Sequence, residues 1–167
     1  FILGYFLWSD QVSEEIEEEK NDEPVVLNNA EVEKLVAPVE GKQIALKDVN
    51  DTVFSSGVLG EGVAFEPTNG QLKAPIDGEI TMVYETGHAV GMKTMGGSEI
   101  LFHIGLDTVQ LKGKYFDVKV KTEQMVKKGD VLVEFDLDKI KEEGFDPTVI
   151  MVITQANDNQ VLLPVGA

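Results

Sequence analysis

The sequence predicts an all-β domain, a barrel or a sandwich, with very little helix. Short runs enriched in Val, Ile, Phe and Thr recur along most of the chain, and turn-forming Gly, Pro, Asp and Asn separate them. Sixteen glycines, most of them between these runs, supply the positive-φ turns that many short strands need. With 167 residues, 43% of them hydrophobic, the chain is long enough to bury a core without disulfides.

Eight runs are predicted as strands and one segment as a helix. The strands are residues 42–46, 62–65, 79–85, 89–94, 99–104, 116–120, 131–135 and 149–154. The helix covers residues 138–143 and ends at Gly144, a frequent helix stop. A further turn is expected at residues 30–35.

Three similar turns precede predicted strands. Residues 37–41 read Ala-Pro-Val-Glu-Gly, and residues 74–78 repeat the pattern as Ala-Pro-Ile-Asp-Gly. Residues 128–130, Lys-Gly-Asp, form a third turn before the run at 131–135. The repeat indicates a pseudo-symmetric β architecture.

The first 30 residues differ in composition from the rest. Residues 1–8 carry no charge, whereas residues 10–23 contain eight acidic residues and one Lys. Eight apolar residues cannot cross a bilayer alone, because a crossing needs about 20. We expect residues 1–8 to be the end of a transmembrane helix, with a loosely held terminus as the alternative. Residues 9–30 are then an acidic linker, and residues 31–167 form the folded domain, with its core at 50–157.

Composition excludes several kinds of chemistry. The net charge is −16, and all 14 basic residues are Lys. Without the planar fork of Arg, such an acidic chain is not expected to bind nucleic acid. The absence of Cys removes thiol nucleophiles and thiolate metal sites, and no Gly-rich nucleotide loop is present, so ATP is not expected. Chemistry near neutral pH must therefore involve His88 or His103.

Hairpin geometry predicts that these two histidines are neighbours. The Gly-Gly pair at residues 96–97 lies between two strand runs and predicts a two-residue hairpin turn. In that register Val90 faces His103 and His88 faces Gly105, which makes the histidines diagonal neighbours on one face, roughly 5–8 Å apart. A bulge among the glycines would shift the register by one residue and place them on opposite faces.

Two neighbouring imidazoles can transfer a phosphoryl group. A neutral imidazole is nucleophilic, and a second one can donate a hydrogen bond to the phosphoryl oxygens. The Thr86 hydroxyl is two residues from His88 and can orient that ring. Apolar residues around His103 would let a docked partner exclude water, and Gly105 would permit close backbone approach. The competing interpretation is that both histidines are merely packed in the fold.

Two segments around the histidines resemble a known family. Residues 101–113 read Leu-Phe-His-Ile-Gly-Leu-Asp-Thr-Val-Gln-Leu-Lys-Gly, and residues 85–89 read Glu-Thr-Gly-His-Ala. These closely resemble the active-site signature and the second-histidine segment of the glucose-class enzyme IIA (type-1 EIIA) of the bacterial phosphoenolpyruvate:sugar phosphotransferase system (PTS). Shorter matches at 51–54, 60–64 and 128–136 occur in the same order along the chain as in the family. The resemblance covers about residues 37–157.

The resemblance implies a fold and an activity. The fold is a β-sandwich, often described as a barrel-sandwich hybrid with a duplicated motif. The activity is that of a phosphotransferase component, a phosphohistidine carrier for sugar uptake. His103 would accept the phosphoryl group through Nε2, His88 would stabilise it, and Thr86 would orient His88.

The resemblance also implies partners. Phosphate would come from the small carrier HPr and pass to an enzyme IIB domain coupled to the membrane enzyme IIC, both expected on the same polypeptide at the cytoplasmic face of the membrane. Acidic residues would meet a basic patch on HPr, and apolar residues would form the docking surface. The acidic residues are Asp51 and Asp107, and the apolar ones are Val53, Phe54, Tyr84 and Val90. No cofactor is required, although His88 and His103 could hold an incidental zinc ion.

Three other interpretations are considered. His103-x-Gly105-x-Asp107 resembles the first metal ligands of lysostaphin-type zinc endopeptidases, but no histidine follows His103 to complete that site. Residues 92–95, Met-Lys-Thr-Met, resemble the hairpin tip of biotinyl and lipoyl carriers, but Lys93 is not at the predicted turn. The third is a regulatory IIA-like domain fused to a sugar permease outside the PTS, which the residues of the domain do not distinguish from a phosphocarrier.

Overall fold

The computed structural model describes residues 32–156 and 160–165, and the predictions for residues 1–8 and 9–30 lie outside them. The chain divides into two units, and apart from Val32 the described residues belong to the second, Glu33–Ala167. The strands of the described residues are β1 Val32–Lys34, β2 Gly41–Ala45, β3 Glu61–Pro67, β4 Gln71–Lys73, β5 Gly78–Val83, β6 Ala89–Thr94, β7 Glu99–Ile104, β8 Phe116–Val118, β9 Met125–Val126, β10 Val131–Phe135, β11 Val149–Gln155 and β12 Gln160–Leu162.

Helix is confined to short segments in this part of the chain. They are two α-helices, α1 (Thr52–Ser55) and α2 (Leu137–Glu142), and two 3-10 turns, η1 (Leu46–Asp48) and η2 (Thr108–Leu111). None of these segments has the length and apolar character needed to cross a membrane.

The strands form a sandwich of antiparallel sheets. The larger sheet has the order β2-β3-β11-β7-β6-β5-β9, and the smaller has the order β4-β10-β8. In addition, β1 pairs with β12. Apolar side chains of the seven-stranded and three-stranded sheets form the main core. It includes Phe65, Phe102 and Met151 from the seven-stranded sheet and Leu72 and Leu132 from the three-stranded one. The predicted all-β sandwich with little helix is confirmed.

Strand prediction succeeded wherever hydrophobic runs were clear. The bounds predicted for β6, β7 and β10 are those observed, and the other predicted strands and α2 are displaced by one or two residues at their ends. The Pro-x-acid-Gly turns lead directly into β2 and β5, as expected. The turn predicted at residues 30–35 is wrong where the structure describes it, because Val32–Lys34 form β1.

Strand β11 is buried on both faces of the larger sheet. Val149 and Met151 point into the main core, whereas Ile150 and Val152 belong to a second, smaller core on the opposite face. Such two-sided burial explains why β11 is a continuous apolar run rather than an alternating one. The second core is closed by Leu46, Val49, Phe54 and Leu106 from the η1, α1 and η2 regions.

The hairpin between β6 and β7 has a different register from the predicted one. Thr94 and Ser98 close a three-residue loop, with the Thr94 N–H donating to the Ser98 carbonyl at 2.8 Å and Gly97 at φ 99°. A turn ended by a left-handed glycine is a common three-residue hairpin. Ala89, not Val90, therefore faces His103, and Val90 faces Phe102.

This register corrects the prediction for Val90. We expected Val90 on the docking surface, but its side chain is 0% exposed and belongs to the main core. A shift of one residue moves a strand side chain to the other face, because the side-chain period of a strand is two. By contrast, Val53 in α1 is 50% exposed, in agreement with its predicted surface position.

The two valines provide a matched test of this correction. Val90→Ala removes packed methyl groups and should lower the free energy of unfolding by about 2–3 kcal/mol. Val53→Ala should change it by less than about 0.5 kcal/mol, since Val53 is largely exposed. Urea unfolding of both variants measures the difference, and equal losses would contradict the assigned register.

Candidate active site

His103 lies on the face of the large sheet that carries the second core. In the ladder its neighbours are Ile150 of β11 and Ala89 of β6, and Ala64 lies beyond Ile150. Ala64 and Ala89 are both buried. The imidazole packs against the Phe54 ring, with 5.0 Å between the ring centroids. His103 thus rests on an apolar floor while remaining partly exposed.

A backbone carbonyl determines which nitrogen of His103 is free. Nδ1 lies 2.7 Å from the carbonyl oxygen of Gly105. Because a carbonyl can only accept, Nδ1 carries the proton and donates it. In the neutral ring, Nε2 then holds the free lone pair. From the sequence we expected Gly105 only to allow close backbone approach. Its carbonyl as the acceptor for His103 Nδ1 was not predicted, because residue spacing carries no signal for a backbone acceptor.

His88 lies beside His103, although the register that predicted this was wrong. It precedes β6, directly after Gly87 at φ 76°, so strand alternation does not decide where its side chain points. The two ring centroids are 4.9 Å apart with an edge-on contact. The expected contact with Thr86 is present, with 2.7 Å between its hydroxyl and His88 Nδ1. Thr86 thus binds Nδ1 of His88, and the Gly105 carbonyl binds Nδ1 of His103. The Nε2 atoms of both rings remain available.

The environment keeps both imidazoles neutral at pH 7. Burial, with a smaller contribution from His103, lowers the pKa of His88 from 6.5 to about 4. Burial also lowers the pKa of His103, although the Gly105 hydrogen bond and the nearby carboxylates of Asp51 and Asp107 oppose this effect. A neutral His103 is the form that can act as a nucleophile.

The two acidic residues predicted for the partner surface are near His103 and have distinct local roles. Asp51 caps α1, since its carboxylate accepts hydrogen bonds from the N–H groups of Val53 at 2.9 Å and Phe54 at 3.4 Å. It thereby holds Phe54 against His103. Asp107 is exposed and lies at φ 62° before η2, a left-handed conformation that Asp tolerates better than most residues.

The predicted apolar docking residues separate into exposed and buried groups. Tyr84 is 47% exposed and contacts the His88 ring, with 5.3 Å between the centroids, and Val53 is also exposed. Phe54 is only 6% exposed, because it packs beneath His103 in the second core. Val90 is buried in the main core. The apolar surface near the histidines is therefore smaller than the sequence predicted.

The site offers few ligands for a metal ion. Within the described residues, no group of three His, Cys, Asp or Glu side chains is arranged to bind one. His88 and His103 would supply two nitrogens, so a tetrahedral zinc ion would need further ligands from another molecule.

Comparisons with known proteins agree with this geometry. Residues 33–159 match the family described as phosphoenolpyruvate-dependent sugar phosphotransferase system, EIIA 1. The chain is 42% identical over 125 residues to the PTS system glucose-specific EIIA component of Bacillus cereus, covering 75% of this chain and 76% of that protein. The solved glucose permease IIA from Mycoplasma capricolum is 38% identical, with a TM-score of 0.69 over 74% of this chain and 80% of that one.

Longer relatives also match. The PTS system beta-glucoside-specific EIIBCA component of Dickeya chrysanthemi is 40% identical over 153 residues, which cover 87% of this chain and 24% of that protein. The chain therefore spans about a quarter of the length of this relative. The family match, the β-sandwich and the paired histidines support one conclusion. The chain belongs to the EIIA type 1 family of the phosphoenolpyruvate-dependent sugar phosphotransferase system and is a phosphotransferase component that acts as a phosphocarrier in sugar uptake.

Proposed function

We propose that Nε2 of His103 accepts a phosphoryl group from phosphohistidine on HPr and passes it to an EIIB domain. The observation that carries this assignment is the hydrogen bond from His103 Nδ1 to the Gly105 carbonyl at 2.7 Å. It leaves the Nε2 lone pair free on a ring that is neutral at pH 7. The acceptor is thus prepared without a separate base to remove a proton.

The transfer is balanced in atoms and electrons. The Nε2 lone pair forms a bond to phosphorus as the bond from phosphorus to the HPr imidazole breaks, and that electron pair returns to the HPr nitrogen. The same displacement in the opposite sense loads the EIIB residue. His88 stabilises the phosphoryl oxygens when its Nε2 carries the proton and its Nδ1 accepts from the Thr86 hydroxyl.

The surface around the site supports a partner with basic and apolar residues. Asp51 and Asp107 lie close enough to raise the pKa of His103, and Val53 and Tyr84 are exposed beside them. Opposite charges accelerate encounter, and apolar contact excludes water from the transferred group. We assign these four residues to the HPr and EIIB surface, and Phe54 supports it from below.

The relatives support a membrane transporter as the full-length context. The EIIBCA components of Dickeya chrysanthemi and of Bacillus subtilis are named for EIIB, EIIC and EIIA parts in one protein. We infer that the domain operates with EIIB and EIIC on one polypeptide, at the cytoplasmic face of the membrane. This favours sugar phosphorylation over the regulation of a permease outside the PTS.

Phosphoryl transfer through the two histidines requires no cofactor. We propose that zinc binding at His88 and His103 is incidental and depends on ligands from a second molecule. Removing metal with a chelator should therefore leave phosphoryl transfer intact.

The first test concerns the acceptor. With phosphoenolpyruvate, enzyme I and HPr, the protein should gain one acid-labile phosphoryl group on His103, and His103→Ala should gain none. The fold should survive the change, because His103 is only partly buried. Mass spectrometry at alkaline pH measures the label, with circular dichroism as the folding control. Undiminished labelling of His103→Ala would remove His103 from this role.

The second test concerns the acidic surface. Asp51→Asn retains an oxygen that can cap α1, and Asp107→Asn suits the left-handed conformation, so both variants remove mainly charge. At low salt each should slow phosphorylation by HPr roughly fivefold, equivalent to about 1 kcal/mol of attraction. The difference from wild type should shrink at high salt. Rates that match the wild type at every salt concentration would refute the electrostatic assignment.

The third test separates the two histidines. His88→Gln keeps a neutral donor beside His103, so loading from HPr should be largely retained. Transfer to EIIB should fall by about 100-fold, because an imidazole can exchange a proton as the charge on the phosphoryl group changes during transfer and an amide cannot. Stopped-flow or quench measurements of both half-reactions on one variant give the two rates. Small, equal losses in both would mean that His88 is only packed nearby.

A further inference from the structure

A short turn after α2 is held by one carboxylate. Oδ1 of Asp146 accepts hydrogen bonds from the Thr148 N–H at 2.9 Å and from the Thr148 hydroxyl at 2.6 Å. Pro147 lies between them, and its ring restricts φ. An Asp side chain that bonds to the backbone two residues later stabilises a tight turn. Thr148 is only 6% exposed, so this turn is anchored at the start of β11.

The carbonyl groups of this turn bind the backbone beside His103. The Gly105 N–H donates to the Thr148 carbonyl at 2.8 Å, and the Leu106 N–H donates to the Asp146 carbonyl at 2.9 Å. The Leu106 N–H and the Gly105 carbonyl belong to the same planar peptide group and point in opposite directions. Holding the N–H therefore aims the carbonyl, and that carbonyl accepts from His103 Nδ1.

The backbone at Gly105 has little freedom to adjust. Its φ of 80° favours glycine, and a Cβ there would clash with the Thr108 methyl group and lie 3.2 Å from the Asp146 carbonyl oxygen. Thr108 is itself fully buried, and its hydroxyl donates to the Ile104 carbonyl. The turn and Thr108 together confine the Gly105 peptide from two sides.

We propose that Asp146 is a positioning residue for phosphoryl transfer, because its carboxylate holds the turn that aims the Gly105 carbonyl at His103. The inference rests on the proposed role of His103 as the phosphoryl acceptor. Asp146 does not touch the reacting atoms. Its effect passes through Thr148, then through the peptide between Gly105 and Leu106, and finally to the imidazole.

The experiment compares four variants with the wild type. Asp146→Ala removes the acceptor, Asp146→Asn retains an amide oxygen at the same place, and Thr148→Val removes only the hydroxyl that Asp146 binds. Asp136→Ala is the matched control, because Asp136 is an exposed carboxylate that accepts the Lys139 N–H at 3.1 Å to cap α2. Chemical denaturation measures the stability of each variant.

The decisive readout is the state of the His103 ring, which nitrogen-15 NMR measures without any phosphoryl donor. In the wild type the proton should reside on Nδ1. Asp146→Ala should shift part of the population to the Nε2–H form and lower the pKa of His103, since the Gly105 bond that raises this pKa is weakened. Phosphorylation by HPr should slow about tenfold, as expected for a misplaced reactive group.

The variants distinguish positioning from simple stabilisation. Asp146→Asn should restore the wild-type tautomer and rate, Thr148→Val should produce a smaller change in the same direction, and Asp136→Ala should lose stability without altering the His103 ring. A wild-type tautomer, pKa and rate in Asp146→Ala would overturn the proposal. If Asp146→Ala does not fold, an unaltered ring in Thr148→Val would also overturn it. Failure of the wild type to accept phosphate would instead refute the proposed function, while NMR would still decide the positioning role.

Discussion

The hydrogen bond between His103 Nδ1 and the Gly105 carbonyl is the interaction on which the proposed chemistry of the site depends. A free imidazole exchanges its proton between two nitrogens, and only the unprotonated one can attack phosphorus. The carbonyl accepts at 2.7 Å and cannot donate, so it selects the Nδ1–H tautomer of the neutral ring. The surrounding fold serves to keep that carbonyl in place. The left-handed conformation of Gly105 and the turn before β11 both contribute to this.

Burial of the large sheet on both faces provides the apolar surroundings that lower the pKa values of the two histidines. The main core forms one side, and the smaller core under α1 and η1 forms the other. His103 contacts Phe54 at the margin of the smaller core, where burial lowers its pKa while part of the ring remains accessible. His88 is 3% exposed, and burial, with a smaller contribution from His103, lowers its pKa to about 4. The two rings thus have different environments although they touch.

The acidic residues near the site link its electrostatics to its local structure. Asp51 raises the pKa of His103 and also caps the helix that carries Phe54. Its charge therefore moderates the effect of burial on His103, and its oxygens hold one side of the apolar floor. Asp107 supplies a second negative charge from an exposed, left-handed position. Together they form an acidic border around the proposed phosphoryl acceptor, a suitable arrangement for a basic partner.

The sequence by itself determined the all-β fold and the strands with clear hydrophobic runs, and it singled out the two histidines that we propose as the reactive groups. Those features depend on local composition, turn residues and a motif whose residues are close in the chain, so they can be recognised without a structure. Strands β1, β4, β9 and β12 escaped prediction, since segments of two or three residues carry too little periodicity.

Only the tertiary structure decided the register and the hydrogen bond of His103. The hairpin loop has three residues rather than two, which sends Val90 into the core, and His88 reaches His103 from a turn that strand alternation does not describe. The partner of His103 Nδ1 is a backbone carbonyl, which every residue possesses, so no residue type could reveal it. The direction of this carbonyl is set by the turn at residues 146–148, which is distant in sequence. The turn binds the Leu106 N–H, and the planar peptide group fixes the Gly105 carbonyl on the opposite side.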